Sequence, residues 1–525
     1  MTPHSLKKRF IYKLLGNLAA IILGIIALVV VPKALGPADF GRYEFLTANF
    51  NLVLNTLVLQ LPVAYFNWIS RKGHKENTDY ATGLIFYVSL LAIVIFTLFI
   101  CATVLLGIND WIWPDIPQTY LWFALGLSSA TFLYQLCTYV SDGRALTVGL
   151  EKIRLLQNLL KTAGILALFI WGMLTLNNYF VVQMCAIFIT VVIAMIWLAS
   201  RDVYSRKLLR PWKFEKQTQE EFNSFAIQYA RPLVITMLLG FCYNYFDRWF
   251  LQFIAGSSQQ GYFSLSDRLG AIAIVFTTAM TPLLTREFAF AHEAHNTARL
   301  VRLFDHIKIF YFLAAVIGCF MSVQSEAIVE VVGGEKYKDA VIPVAIMALY
   351  PLQQTFGQLS ASLLIATGQT KLYAKLAIII MGVSLPVSYL LIASHDYLIP
   401  GLALGATGLA IKMVLIGFIG INIQLYFNTK MLGLSFYKWV AYQLQTMAVV
   451  YLVATASYWL INEFPIEFLL PLNVFNLASN TFTLLIRLGV SGLFYLGLVG
   501  ILVIYIPGLA NLNKGDLSDL FRRKP

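Results

Sequence analysis

The sequence predicts an all-α integral membrane protein of about 14 transmembrane helices, and three observations carry that prediction. Of 525 residues, 59% are hydrophobic and only 12% are charged. Soluble chains average about 45–50% apolar and about 25% charged. The apolar residues run in blocks of about 20, the length at which a helix crosses a bilayer with its backbone satisfied. The basic residues gather in alternate connecting segments. This composition excludes a nucleic-acid-binding domain, a disulfide scaffold and a disordered chain. The five cysteines (Cys101, Cys137, Cys185, Cys242, Cys319) sit in apolar stretches without close spacing, so they read as small packing residues.

Lys7, Lys8 and Arg9 precede the first apolar run, which reads as a retained signal anchor. The first six spans are roughly 11–31, 43–68, 80–106, 118–140, 155–175 and 179–199. The next six are roughly 222–252, 261–285, 307–324, 340–366, 373–392 and 401–426, and the last two roughly 433–461 and 480–506. With the N-terminus inside, 28 of the 38 lysines and arginines fall in inner segments. Only Lys33, Arg42, Lys336 and Lys338 fall outside. The net charge of +12 is thus largely a topology signal, and both termini are expected in the cytoplasm. The outer loops are too short for a catalytic domain. The basic inner segments 200–221 and 286–306 are expected to form amphipathic helices on the membrane surface.

After the first span the chain reads Gly36-Pro37-Ala38-Asp39-Phe40-Gly41, and after the seventh Gly256-Ser257-Ser258-Gln259-Gln260-Gly261. A second pair of turns, Asp142-Gly143-Arg144 and Gly368-Gln369-Thr370-Lys371, recurs at a similar offset. Such repeats predict two parallel six-helix lobes, with a site between them as in secondary transporters. The expected organisation is an N-lobe over 1–216, a C-lobe over 217–430, and two accessory spans with a cytoplasmic tail over 431–525.

Several segments carry a resemblance: LGPADFGRY at 35–43, NYFDRWFLQFIAG at 244–256, GYFSLSDRL at 261–269, VGGEKYKDAV at 332–341 and ATGQTK at 366–371. In this order and spacing they resemble the polysaccharide flippases (Wzx type) of the multidrug/oligosaccharidyl-lipid/polysaccharide exporter superfamily. The resemblance covers spans 1 to 12. It implies the MATE-like (MOP) fold, a V-shaped pair of lobes alternating access to a central cavity in the inner (plasma) membrane. It also implies a cargo of undecaprenyl-diphosphate-linked oligosaccharide, moved from the inner to the outer leaflet for surface polysaccharide such as O-antigen, lipopolysaccharide or exopolysaccharide. A polysaccharide polymerase and glycosyltransferases are candidate partners. Spans 13 and 14 would offer a groove for the polyprenyl tail.

The spans hold six basic residues: Lys161, Arg231, Arg248, Arg268, Lys412 and Arg487. A charge at mid-bilayer costs at least about 2.5–3.5 kcal/mol, so it faces a wet cavity or a partner. Lys412 and Arg231 lie deepest and are read as diphosphate ligands; Pro232 behind Arg231 is expected to disturb the helix there. Lys161, Arg268 and Arg248 are further substrate-binding candidates, although they lie close enough to span ends to snorkel. Asp247 and Asp267, beside Arg248 and Arg268, read either as a clasp across a hairpin or as a proton- or cation-sensitive gate; with Pro232 they form the gating or coupling set. Thr47, Asn51 and Asn55 share one helical face, as do Thr131, Gln135, Thr138 and Asp142, and Tyr350, Gln354 and Gln358. Such amide-rich faces either bond a neighbouring helix or line water. Thr47, Asn51, Asn55, Gln354 and Gln358 are accordingly candidates for sugar contacts. No metal set, catalytic triad or Walker A pattern is visible, and no cofactor is expected; a Na+ or H+ gradient is the candidate for resetting the cycle. The alternatives are a cation-coupled multidrug antiporter, which calls for deep acidic residues, and a membrane glycan polymerase or ligase, which calls for a larger outer loop.

Overall fold

The computed structural model describes residues 6–72, 79–144, 146–201, 203, 216–463 and 480–511. They are helical almost throughout, with no strand among the described residues. The helices are α1 (Leu6–Leu57), α2 (Leu61–Lys72), α3 (Asp79–Leu105), α4 (Asn109–Ile112), α5 (Gln118–Gly143) and α6 (Thr147–Ile170). Then come α7 (Leu176–Ala199), α8 (Lys216–Ala271), α9 (Val275–Glu293), α10 (Thr297–Asp305), α11 (Ile307–Val323) and α12 (Ser325–Gly333). The series ends with α13 (Val341–Met347), α14 (Tyr350–Ala366), α15 (Thr370–Ile392), α16 (Gly405–Leu432), α17 (Phe436–Glu463) and α18 (Asn480–Tyr505).

Among the described residues, 11 helical stretches are long and apolar enough to cross a membrane, so this is a multi-pass membrane protein. The count of 14 is not reached on that criterion, for two reasons. The first two expected spans run together in α1, of which Ile22–Leu57 qualifies as one stretch. The seventh and eighth fall in α8 and α9, which residues with side chains outside the described set interrupt, so the criterion does not reach them.

The turns expected after spans 1 and 7 are one glycine deep. α1 is helical on either side of Gly36 (φ 76°, ψ 171°), and α8 on either side of Gly256 (φ 83°, ψ 176°). Positions 220 residues apart thus share one left-handed conformation, which suits glycine because it has no Cβ. Each is followed five residues on by a glycine at a backbone crossing. A Cβ on Gly41 would lie 1.9 Å from the Ser257 carbonyl oxygen, and one on Gly261 would lie 2.0 Å from that of Pro37. The crossing is reciprocal, since Ser257 stands to Gly261 as Pro37 stands to Gly41. The second expected pair differs: Gly368 is left-handed, whereas Gly143 ends α5 in helical conformation.

The chain packs as two compact units, Met1–Gly261 and Tyr262–Pro525. In the first, α1 lies along α5 and α6, and α7 closes against α5 and α6. Thr175 caps α7 by accepting from the Asn178 amide. In the second, α14 is central, packed by α9, α11 and α16, while α15 lies on α16. The amides there clasp helices together: Gln424 Nε2 donates to the Gly357 carbonyl (3.1 Å), and Asn428 Nδ2 to that of Ser360 (3.0 Å).

α17 and α18 pack on α11 and α12 within the second unit. Tyr311 donates to the Gln443 carbonyl, Tyr495 to the Val316 carbonyl (2.9 Å), and Gln324 Nε2 to Ser491 Oγ (2.6 Å). The Lys308 ammonium sits 4.4 Å from the Trp439 ring centre. α10 carries the amphipathic pattern expected of a surface helix, but its apolar side is covered by protein: Leu300 and Phe304 are buried, with Phe304 4.7 Å from Trp439. That side packs against α9, α11 and α16, with Trp439 of α17 on Phe304. Residues 204–215, in the other expected surface helix, and 464–479, in the longest expected outer loop, lie outside the described residues.

Candidate functional site

The first unit holds a cavity of about 430 Å³ lined by Asn55, Phe66, Gln135, Thr138, Tyr139 and Asp142. Four of these come from α5 at positions i, i+3, i+4 and i+7, one face of a helix. The opposite side of α5 buries Leu136, Cys137 and Val140 in the unit. The amide and hydroxyl stripes read from the sequence therefore meet in a cavity at the end of the unit where α1 and α5 finish.

Local hydrogen bonds set what the cavity offers. Thr47 Oγ1 donates to the Tyr43 carbonyl, Asn51 Nδ2 to that of Thr47 and Asn55 Nδ2 to that of Asn51, at 2.7–2.8 Å. Thr138 Oγ1 donates to the Tyr134 carbonyl (3.1 Å). These groups spend a donor on their own helix and keep acceptor capacity for the cavity. Asp142 Oδ1 accepts from Thr147 Oγ1 (2.8 Å). α2, which brings Phe66, is held at this end by Tyr65 and Thr82 (2.9 Å), and Arg144 donates to the same Thr82 hydroxyl (3.2 Å).

The other end of this unit, near Gly36, is tied shut. Arg42 Nε donates to the Asp115 carbonyl oxygen (2.9 Å), Nη2 to Asp115 Oδ1 (3.0 Å) and Nη1 to Asp39 Oδ1 (3.1 Å). Gln252 Nε2 donates to the Pro114 carbonyl (2.9 Å) and to Ser257 Oγ (2.7 Å). Trp249 Nε1 donates to the Trp111 carbonyl (3.3 Å), with the two indole rings 5.7 Å apart. Asp115 has left-handed backbone (φ 59°). Burial alone would raise its carboxyl, but hydrogen bonds from Ser257 and Arg42, with the Arg42 charge, outweigh burial and hold it below the usual carboxylate range.

The residues expected to bind substrate are spread over both units. Asn55 lines the cavity, and Thr47 and Asn51 continue its stripe along α1. Arg231 in α8 is exposed, Arg248 half-buried and Asp247 buried. Lys161 in α6 is half-buried. In the second unit Lys412 in α16 is 0% exposed, Arg268 is exposed and Asp267 half-buried. Gln354 Nε2 donates to the Tyr350 hydroxyl, and Gln358 is half-buried on the same helix. α8 continues as helix through 231 and 232, and the non-helical residue within it is Gly256.

Sequence reasoning missed Phe66 and Tyr139 as lining residues. Tyr139 falls at i+4 from Gln135 and could have been found by completing that face; Phe66 carries no such signal. It also missed Arg42 as a structural centre, treating it as one more loop charge. Asn49 was passed over as well: it is 1% exposed, and neither amide atom has a hydrogen-bond partner in the structure.

No curated protein matches the sequence. Among solved structures, one of "Lipid II flippase MurJ, inward closed conformation" superposes with a TM-score of 0.63 at 14% identity, covering 93% of this chain and 99% of that one. An inward-facing multidrug resistance MATE family transporter of the MOP superfamily gives 0.60 at 15% identity, covering 79% and 94%. A point mutant of a MATE protein gives 0.51 at 14% identity, covering 80% and 94%. At these identities the likeness shows the fold alone, the one these MurJ and MATE structures share. The profile of one family, described as "Polysaccharide biosynthesis protein", matches residues 6–288. With over half of its length inside that match, this chain belongs to the polysaccharide biosynthesis protein family.

Proposed function

We propose that this protein flips a polyprenyl-diphosphate-linked saccharide from the inner to the outer leaflet of the plasma membrane. The observation that carries this is an open cavity between the membrane-length helices α1 and α5, lined by amide, hydroxyl and carboxylate groups beside aromatic rings, in a chain of this family. An amphiphile with a sugar head needs such a space, because amides and hydroxyls replace the water its hydroxyls lose. The basic bias of alternate segments favours a cavity on the cytoplasmic side and the Arg42–Asp115 cluster on the outer side, with both termini cytoplasmic. In that orientation the cavity loads from the inner leaflet. The saccharide enters the cavity, the diphosphate pairs with in-span cations such as Arg231, and the tail stays in lipid. Lys412 has no accessible surface in this state. It therefore serves the diphosphate only in another conformation.

Reconstituted vesicles test the reading. A fluorescent polyprenyl-diphosphate-linked oligosaccharide placed in one leaflet should become accessible to a membrane-impermeant quencher in the other, faster than in protein-free vesicles. Equal rates overturn it. A cation antiporter is the second reading, favoured by the Asp142 carboxylate in the cavity lining.

A further inference from the structure

We infer that the loop joining α15 and α16 (393–404) is a membrane foot, whose apolar tip enters the phospholipid headgroup zone beside the ends of those helices. The loop is longer than the connection needs. α15 and α16 are the eleventh and twelfth expected spans. Their counterparts in the repeat, α6 and α7, are joined by the five residues 171–175, against twelve here. The longer loop exposes Tyr397, Leu398, Ile399, Leu402 and Leu404, with Leu398 100% accessible.

The base of the loop is held by its backbone. The amides of Leu402, Ala403 and Leu404 donate to the carbonyls of Leu390 (2.8 Å), Ala393 (2.9 Å) and Leu391 (3.0 Å), at the helix end where carbonyls lack helical partners. Gly401 lets the chain turn back this closely, since a Cβ there would lie 2.5 Å from the Ala393 carbonyl oxygen. The Tyr389 hydroxyl braces the tip by donating to the Ile399 carbonyl (3.1 Å). Ala403 keeps left-handed backbone (φ 51°), uncommon for a residue with a Cβ. The fold thus fixes a loop that presents apolar side chains outward while bonding the peptide groups at its base. Entry into an interface requires this, because unbonded peptide groups are costly away from water.

Two observations make lipid the occupant. The loop lies between two stretches of membrane-spanning length, Thr370–Ile392 and Gly405–Leu432, so it begins and ends where the bilayer does. Its apolar surface also continues an exposed stripe of α15, formed by Ile379, Val383 and Leu390 on one side of that helix. Leu390 is bonded through its carbonyl to Leu402, which joins stripe and loop directly. The exposed His395 and Asp396 keep the loop shallow, and tyrosine is a residue favoured at the headgroup level. The basic bias of the alternate segments assigns this end to the outer leaflet. The inference does not depend on which cargo the protein carries.

Photo-crosslinking of the full-length protein in its membrane tests this. A benzophenone amino acid is placed at Leu398 and, in separate samples, at Val383 on the α15 stripe and at the exposed Glu335. Mass spectrometry should find phospholipid adducts at Leu398 as at Val383, and none at Glu335. No phospholipid adduct at Leu398 overturns the inference. So does an adduct there that is mainly to protein, whether a second copy of this chain or another polypeptide. A second measurement removes the influence of the apolar probe on the tip itself. The benzophenone is moved to Leu402, and Leu398→Asp and Ile399→Asp are introduced together. Charge at the tip should draw the loop out of the interface and abolish the Leu402 adduct, while the Val383 adduct persists. A Leu402 adduct that survives both substitutions also overturns the inference, because the tip would then not be what holds the loop in lipid.

Discussion

Single residues show where this protein departs from an optimally packed helical bundle. Asn49 lies 1% exposed with both amide atoms unbonded, and a buried unsatisfied polar group costs about 1–3 kcal/mol. Asn49→Leu, close to it in shape, should therefore stabilise this conformation, seen as a higher thermal midpoint in detergent. A lower midpoint would mean that the amide finds partners in another state. The Arg42–Asp115 pair behaves differently, because both side chains keep contact with solvent. Its charge contributes no more than about 1 kcal/mol. The folded-state carboxyl is depressed, so that contribution is complete above the unfolded value of about 4 and is lost as pH falls below it. The stability difference between wild type and Asp115→Asn should be constant across about pH 5 to 8 by denaturant melts, then vanish in acid. A difference that changes near neutral pH would contradict the geometry.

At the scale of elements, two kinds of glycine are needed for two reasons. Gly36 and Gly256 combine positive φ with an extended ψ, a region essentially confined to glycine, where any Cβ costs about 1–3 kcal/mol. Gly41 and Gly261 are needed because backbone crosses backbone there, and the obstruction cannot rotate away. Gly41→Ala should therefore be worse than Gly36→Ala, forcing the crossing apart at a cost at or above the roughly 1–3 kcal/mol usual for overpacking. Thermal unfolding of the two purified variants tests this order. Two helix pairs use polar side chains in opposite ways. In α14 and α16 they bind across to the neighbouring helix, which is packing. In α1 and α5 they bind back to their own helix and face a cavity.

At the scale of the whole molecule, membrane-length helices, a family of polysaccharide biosynthesis proteins and the fold shared with the MurJ structure support the proposed flipping. Net movement of the proposed cargo against its own gradient requires an energy source. We expect vesicle flipping to depend on a cation gradient. Collapsing both the Na+ and the H+ gradient should slow multiple turnover, and restoring one of them should recover it and so name the coupling ion. A rate indifferent to both would place the driving force in the lipid-linked substrate itself.

Much of this was written in the sequence because the bilayer imposes one-dimensional rules. Apolar length marks spans, lysine and arginine mark sides, and a helix puts every fourth residue on one face; hence the all-helical membrane fold, the matched Gly36 and Gly256, and the polar faces of α1 and α5. What lies across the chain was decided only by packing. Sequence spacing could not tell that Phe66 closes on the α5 stripe, that Asp115 comes to Arg42, that Phe304 of α10 meets Trp439 of α17, or that Lys412 is wholly enclosed. Those contacts join residues tens to hundreds of positions apart, and the side chains that make them carry no periodic signature of their partners.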